Sequence, residues 1–284
     1  MRSPECRGSI PCVIIEPAGL AERGAALLQG VLARSHAVAG GDLSGVVEIE
    51  LTDGRIAIVK GGAAPPTEAA MLRAIAAAGA PAPHVLANDD SVLVVERVDT
   101  RGSIGQAWSE LGRTLAVLHA AHGPRYGWDD DYAFGTVAIE NAWTDDWVGF
   151  WCDRRLLNQT KHLPADLARR VETLARDLPA RLPGMPTPAL LHGDLWGGNI
   201  LVTADQVCNL IDPACYYGHA EVDFAMLALF NEPGPELFEM YGGLEVGYDE
   251  RLPVYQLWPA LVHLRLLGAG YRSLVERLLA AIGV

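Results

Sequence analysis

Basic residues are scarce in this chain: 22 lysines and arginines stand against 35 aspartates and glutamates, a formal net charge of −13. Nucleic-acid phosphates demand a basic face, so no nucleic-acid partner is expected. Long apolar runs are missing as well. No stretch approaches the roughly eighteen residues of a spanning helix, so no membrane partner is expected either. The opening MRSPECRGSIPCVIIEP carries only about five apolar residues between prolines, too few for a secretory signal. The five cysteines, Cys6, Cys12, Cys152, Cys208 and Cys215, are odd in number and form no C-x-x-C pair. Zinc and a disulfide framework are therefore not expected; buried thiols in a reducing cytoplasm are. What remains is globular. Half of the residues are hydrophobic, enough to bury a large core in one big domain or two lobes.

The informative stretch is LLHGDLWGGNILVTADQVCNLIDPACYYGHAEVD, from Leu190 to Asp223. Ile200-Leu201-Val202 and Val207 to Ile211 read as the two arms of a hairpin around Thr-Ala-Asp-Gln. Folding that hairpin brings Asn199, before the first arm, next to Asp212, after the second. Asp194 precedes them on a loop whose Gly193, Gly197 and Gly198 permit tight turns. An amide and a carboxylate oxygen facing each other suit magnesium, which takes its other ligands from water and substrate phosphates. A carboxylate beside such a site suits the acceptance of a hydroxyl proton during phosphoryl transfer. Each of these residues alone is an ordinary loop residue, because Asp and Asn bond their own backbone. Together, with His192, they form the H-x-D-x-x-x-x-N … D arrangement of kinase-like phosphotransferases.

Further upstream, Val46 to Leu51 and Arg55 to Lys60 alternate with period two around Thr52-Asp53-Gly54, a hairpin signal. The turn before it, Ala39 to Gly45, is rich in glycine, so the backbone at Gly40, Gly41 and Ser44 suits a phosphate chain. Lys60 ends the second arm as the lysine of V-A-I-K does in kinases, and Glu68 opens a helix capped by Thr67. That glutamate suits an ion pair with Lys60, although a first-turn glutamate also complements the helix dipole. Other helices are expected over Leu20 to Ala33, from Ser103 along the stripe Trp108, Leu111, Leu115 and Leu118, and over 143–157, 167–182, 221–230, 252–267 and 271–282. Strands are expected at 84–86 and 91–96.

HGDLWGGN followed by IDPACYYGHAEVDFAM resembles the fructosamine kinase (ketosamine-3-kinase) family, whose relatives include aminoglycoside and choline phosphotransferases. The likeness runs, more loosely, from about Gly40 to Gly270. Two departures concern the acceptor side. Ala220 stands where that family carries Arg, and Glu140 stands where it carries Gln. The resemblance implies an α+β, two-lobed protein-kinase-like fold: a β-rich nucleotide-binding lobe over 1–97 and a mostly helical catalytic lobe over 98–284. It implies ATP and magnesium as cofactors, with Asp194 as the proton acceptor and Asn199 and Asp212 as metal ligands. Lys60 and Glu68 then hold the α/β-phosphates, and the backbone at Glu96 and Val98 meets adenine. His192 and Asp223 support the loop. Trp196, Tyr217, His219 and Glu221 are candidates for the acceptor pocket. The implied acceptor is a ketosamine, free or protein-linked. The alternatives are another small hydroxyl compound, such as an aminoglycoside, choline or homoserine, or a nucleotide-binding scaffold without catalysis.

Overall fold

The computed structural model describes residues 16–38, 45–62 and 64–284. Gly40, Gly41 and Ser44, expected at the phosphate chain, lie outside the described residues. The chain divides into two compact units. One takes residues up to Pro66 together with Val85–Arg97, and the other takes Thr67–His84 and Val98–Val284.

The first unit is an antiparallel sheet of strands β1 (Leu32–Ala37), β2 (Val46–Leu51), β3 (Ile56–Gly61), β4 (Val85–Asn88) and β5 (Val92–Glu96), in the order β1-β2-β3-β5-β4. Period-two patterning is realised directly: in β2 every second residue (Val47, Ile49, Leu51) is buried, as are Ala57 and Val59 of β3. Gly54 closes the β2–β3 turn at φ +88°, where a side chain would be strained, and Asp53 Oδ1 accepts the Arg55 N–H. Helix α1 (Pro17–Leu27) lays Leu20, Ala21 and Ala25 on this core. The helix expected to Ala33 thus ends early. Gln29 takes a positive φ of 54°, and Leu32 already starts β1. That strand is exposed along almost its whole length, so no alternation of apolar residues marks it.

Helix α2 (Pro65–Ala77), which belongs to the second unit from Thr67 on, begins with two prolines, whose fixed φ and missing N–H suit a helix start. Thr67 therefore lies inside the first turn and is not the cap. Met71 and Ile75 of α2 are fully buried with Leu195, Ile200, Leu210 and Cys215, residues of the stretch that carries the motif. Met71 Sδ even accepts the Cys215 N–H at 3.3 Å. Helix α3 (Trp108–His119) buries Leu111, Leu115 and Leu118 as its stripe requires, but it follows a separate 3₁₀ turn at Ile104–Gln106, and Ser103 makes no capping bond. A second, aromatic-rich core gathers Trp147, Phe150, Trp151, Tyr216, Tyr255 and Trp258. Helices follow over Ala165–Arg181, Glu221–Phe230, Pro235–Tyr241, Tyr248–Leu267 and Arg272–Ile282. The seven-residue helix Pro235–Tyr241 has no counterpart among the sequence expectations. Among the described residues no helix is long and apolar enough to cross a membrane.

Candidate active site

Three short antiparallel pairings build the site within the second unit. β6 (Tyr132–Phe134) pairs with β7 (Val137–Ile139), β8 (Ala189–Leu191) with β11 (Tyr216–Gly218), and β9 (Ile200–Val202) with β10 (Cys208–Leu210). The β9–β10 hairpin has the register Cys208↔Val202 to Leu210↔Ile200, and one further bond, from Ile211 N–H to Asn199 O at 3.0 Å, extends it. That bond sets Asn199 and Asp212 at adjoining strand ends. Asp212 itself adopts φ 53°, a left-handed conformation that costs energy outside glycine and is tolerated best by Asp and Asn.

The loop between β8 and β9 is fastened at several points. Gly193 turns it at φ +79°, and a Cβ there would lie 2.1 Å from the Ala214 carbonyl. The fully buried Asp223 accepts the backbone N–H of His192 at 2.7 Å and of Gly193 at 2.9 Å. Burial pushes the Asp223 carboxyl up, but the hydrogen bonds from His119 (3.1 Å) and the Gly193 N–H (2.9 Å) outweigh this and leave it below the usual range. His192 accepts the Asp194 N–H at Nδ1 (3.3 Å), so its Nε2 carries the proton and donates to Ile211 O at 2.8 Å. Burial lowers its pKa and keeps the ring neutral. At the far end Gly197 donates to Asn231 Oδ1 at 2.9 Å.

Asn199, buried, spends its Nδ2 on Asp194, donating to the backbone carbonyl at 2.8 Å and to Oδ2 at 3.0 Å. Its Oδ1 is thereby turned away from Asp194. Asp194 and Asp212 are both half-buried. The three carboxylates of Glu68, Asp194 and Asp212 all act on the Tyr132 phenol, which lies 3.4 Å from Glu68 Oε2. One amide oxygen and one carboxylate at adjoining strand ends, beside a half-exposed carboxylate, form a hard-oxygen donor set that fits a magnesium ion with its remaining positions open.

Lys60 lies in β3, opposite Val46 and Leu93, and Glu96 closes β5 at an exposed position. Val98 is half-buried. Glu68, 5% exposed, lies in the first turn of α2. Trp196 is 42% exposed, its ring laid over Gly198, where a Cβ would be 2.3 Å from it. Tyr217 stacks on Trp128 and Trp143 at centroid distances of 5.8 and 5.9 Å. His219 and Glu221 are drawn elsewhere. Glu221 is engaged by Arg251 at 2.5 and 2.7 Å, and His219 bonds Tyr255 at 2.8 Å. Both line a cavity of about 170 Å³ with His119, His122, Tyr241 and Glu245, and neither Asp194, Asn199 nor Asp212 borders it. The sequence does not single out Tyr132, Asn141, Arg155, Asn231 or His119 as site residues. Tyr132, His119 and Asn231 meet their partners across 64, 104 and 34 residues, and no periodic pattern marks Asn141 or Arg155.

A family model described as fructosamine kinase matches residues 34–283. The chain belongs to the fructosamine kinase family. It is similar to the probable ketoamine kinase of Synechocystis sp., with 36% identity over 204 residues covering 66% of this chain and 66% of that protein. The chain thus spans just under two thirds of that relative's length. A solved structure of a candidate fructosamine-3-kinase from Thermobifida fusca superposes with a TM-score of 0.84 at 30% identity, covering 93% of this chain and 98% of that one. A spectinomycin phosphotransferase solved with ADP and spectinomycin shares the fold alone, at 15% identity and a TM-score of 0.58 over 94% of each chain. The fructosamine kinase fold is thus a protein-kinase-like α+β fold.

Proposed function

We propose that this chain is an ATP-dependent kinase that phosphorylates a sugar hydroxyl of a ketosamine. The observation that carries the reading is the joint placement of Asp194, Asn199 and Asp212, with Asn199 bonded to Asp194 and its backbone tied to Ile211 beside Asp212. Family membership supports the acceptor class.

Asp194 takes the acceptor hydroxyl proton. Its Oδ2 receives the Asn199 amide, which sets the direction of the carboxylate. His192 stays neutral and fixes the loop through Ile211 and the Asp194 N–H, moving no proton. Asn199 Oδ1 and the Asp212 carboxylate would hold magnesium, which neutralises charge on the β- and γ-phosphate oxygens when bound. Lys60, with Glu68, serves the α/β-phosphates. Gly40, Gly41 and Ser44 serve the phosphate chain, and the backbone at Glu96 and Val98 serves adenine. These roles rest on sequence resemblance. Trp196 offers an exposed apolar face to the sugar, while Tyr217 backs the aromatic wall with Trp128 and Trp143. His219 and Glu221, engaged by Tyr255 and Arg251, act at most through those partners. The N-terminal lobe to about Arg97 takes the nucleotide and the remainder the acceptor. Cys208 and Cys215 are unpaired and buried, their thiols pushed up by burial, as suits a reducing cytoplasm.

The test is ATP turnover on a panel of fructosyl-lysine, ribulosyl-lysine, choline and an aminoglycoside, with Asp194→Asn as the blank. Turnover confined to the ketosamines supports the proposal. Turnover with choline and none with either ketosamine refutes it.

A further inference from the structure

Tyr132 reaches the carboxylate cluster from a strand three residues long, and what holds it there is buried. Asn141, completely buried, binds the preceding loop through three groups and Arg155 through a fourth. Its N–H donates to Asp131 Oδ1 (2.7 Å), its Nδ2 to Asp130 O (3.3 Å), its carbonyl accepts the Trp128 N–H (2.8 Å), and its Oδ1 accepts from Arg155 Nη2 (2.8 Å). Arg155 is itself fully buried, its guanidinium 4.4 Å from the Tyr216 ring centre and 4.5 Å from that of Phe150, with Nη1 on Glu140 O at 2.8 Å. A rigid cation thus pins Asn141, and Asn141 pins residues 128–131 just ahead of Tyr132. The half-buried phenol lies 3.4 Å from Glu68 Oε2. It is a neutral O–H donor among carboxylates.

We infer that Tyr132 is a positioning residue for Glu68, its O–H donating to Oε2 and fixing that side chain, with the Asn141–Arg155 pair as its brace. The bond is long, 3.4 Å, so its effect is one of orientation. The inference rests on the reading of Glu68 as part of the nucleotide site.

Calorimetric titration of magnesium–ATP into the wild type, Tyr132→Phe, Glu68→Gln and the double variant tests it without any acceptor. Tyr132→Phe is expected to bind about five-fold more weakly, the effect of one modest hydrogen bond, with an unchanged melting temperature. In the Glu68→Gln background it is expected to add less than about two-fold, because its partner is already altered. Asn141→Ala should weaken binding in the parent and add nothing to Tyr132→Phe. Unchanged affinity in Tyr132→Phe overturns the inference, as does an equal loss in both backgrounds. A wild type that binds magnesium–ATP but phosphorylates no ketosamine removes the acceptor assignment alone. A wild type that binds no nucleotide removes both.

Discussion

Asn199 donates from Nδ2 to Asp194 Oδ2 at 3.0 Å and to the Asp194 carbonyl at 2.8 Å, so one amide orients the carboxylate proposed as the proton acceptor. Asn199→Asp is nearly isosteric but replaces the donor with a second carboxylate beside Asp194. Repulsion should swing Asp194 and raise its proton affinity. Turnover is expected to fall by about two orders of magnitude, in line with the loss of a positioned base. Steady-state kinetics at saturating ATP check this, and a loss smaller than about three-fold contradicts it.

Asp223 gives both carboxylate oxygens to the loop and has no exposed surface. Asp223→Ala strands two buried N–H groups and the His119 ring. It should cost about 3–5 kcal/mol in urea denaturation, the range for breaking a buried charged network. Because the folded carboxyl lies below its usual pKa, its stabilisation is present above about pH 4 and is lost as pH falls through the folded value. A cost below about 1 kcal/mol argues that Asp223 does not hold the loop.

The pH dependence of folding carries the signature of His219. Trp147 Nε1–H donates to Tyr255 Oη, whose own O–H then points at His219 Nδ1. Burial first, then Arg251 and His119, lower the imidazole to about 3. The unfolded chain takes up this proton below about 6.5 and the folded chain does not. Stability from this group is therefore complete above about pH 6.5 and declines toward pH 3, by up to about 1.4 kcal/mol per pH unit. Denaturation midpoints between pH 7 and 4 should show a shallower slope in His219→Gln. Parallel slopes would mean that the ring is protonated in the fold.

Arg155 is a buried cation whose partners are three neutral oxygens and three aromatic rings. Truncation in Arg155→Ala opens a cavity and unpairs Asn141 Oδ1, with an expected loss of about 3 kcal/mol or more. Hydrogen exchange over residues 128–141 should accelerate before that of the β9–β10 hairpin. Equal protection in wild type and variant would contradict the brace.

Much of this was legible in the chain because it is local. The β2–β3 and β9–β10 hairpins are marked by alternation and by Asp-Gly or Thr-Ala-Asp-Gln turns, and the short range of a hairpin fixes which residues meet at its ends. β1 was not legible, since an exposed edge strand has no apolar face to display. Tyr132 was not legible as a site residue because its partner lies 64 residues away, and His119 meets Asp223 across 104. Arg155 carries no pattern of its own: a buried arginine and a solvated one look alike until the rings around it are folded. Gly40, Gly41 and Ser44 lie outside the described residues, so the phosphate loop stands on its glycine content and the family resemblance.

The most direct measurement is magnesium-dependent ATP turnover on fructosyl-lysine by the wild type, Asp194→Asn and Asp212→Asn, with circular dichroism to establish that all three are folded. The expected result is turnover by the wild type that ceases when magnesium is chelated, and a loss of at least about a hundred-fold in each variant. Near wild-type turnover by a folded Asp212→Asn or Asp194→Asn would contradict the assignment of this hairpin and loop as a phosphoryl-transfer site.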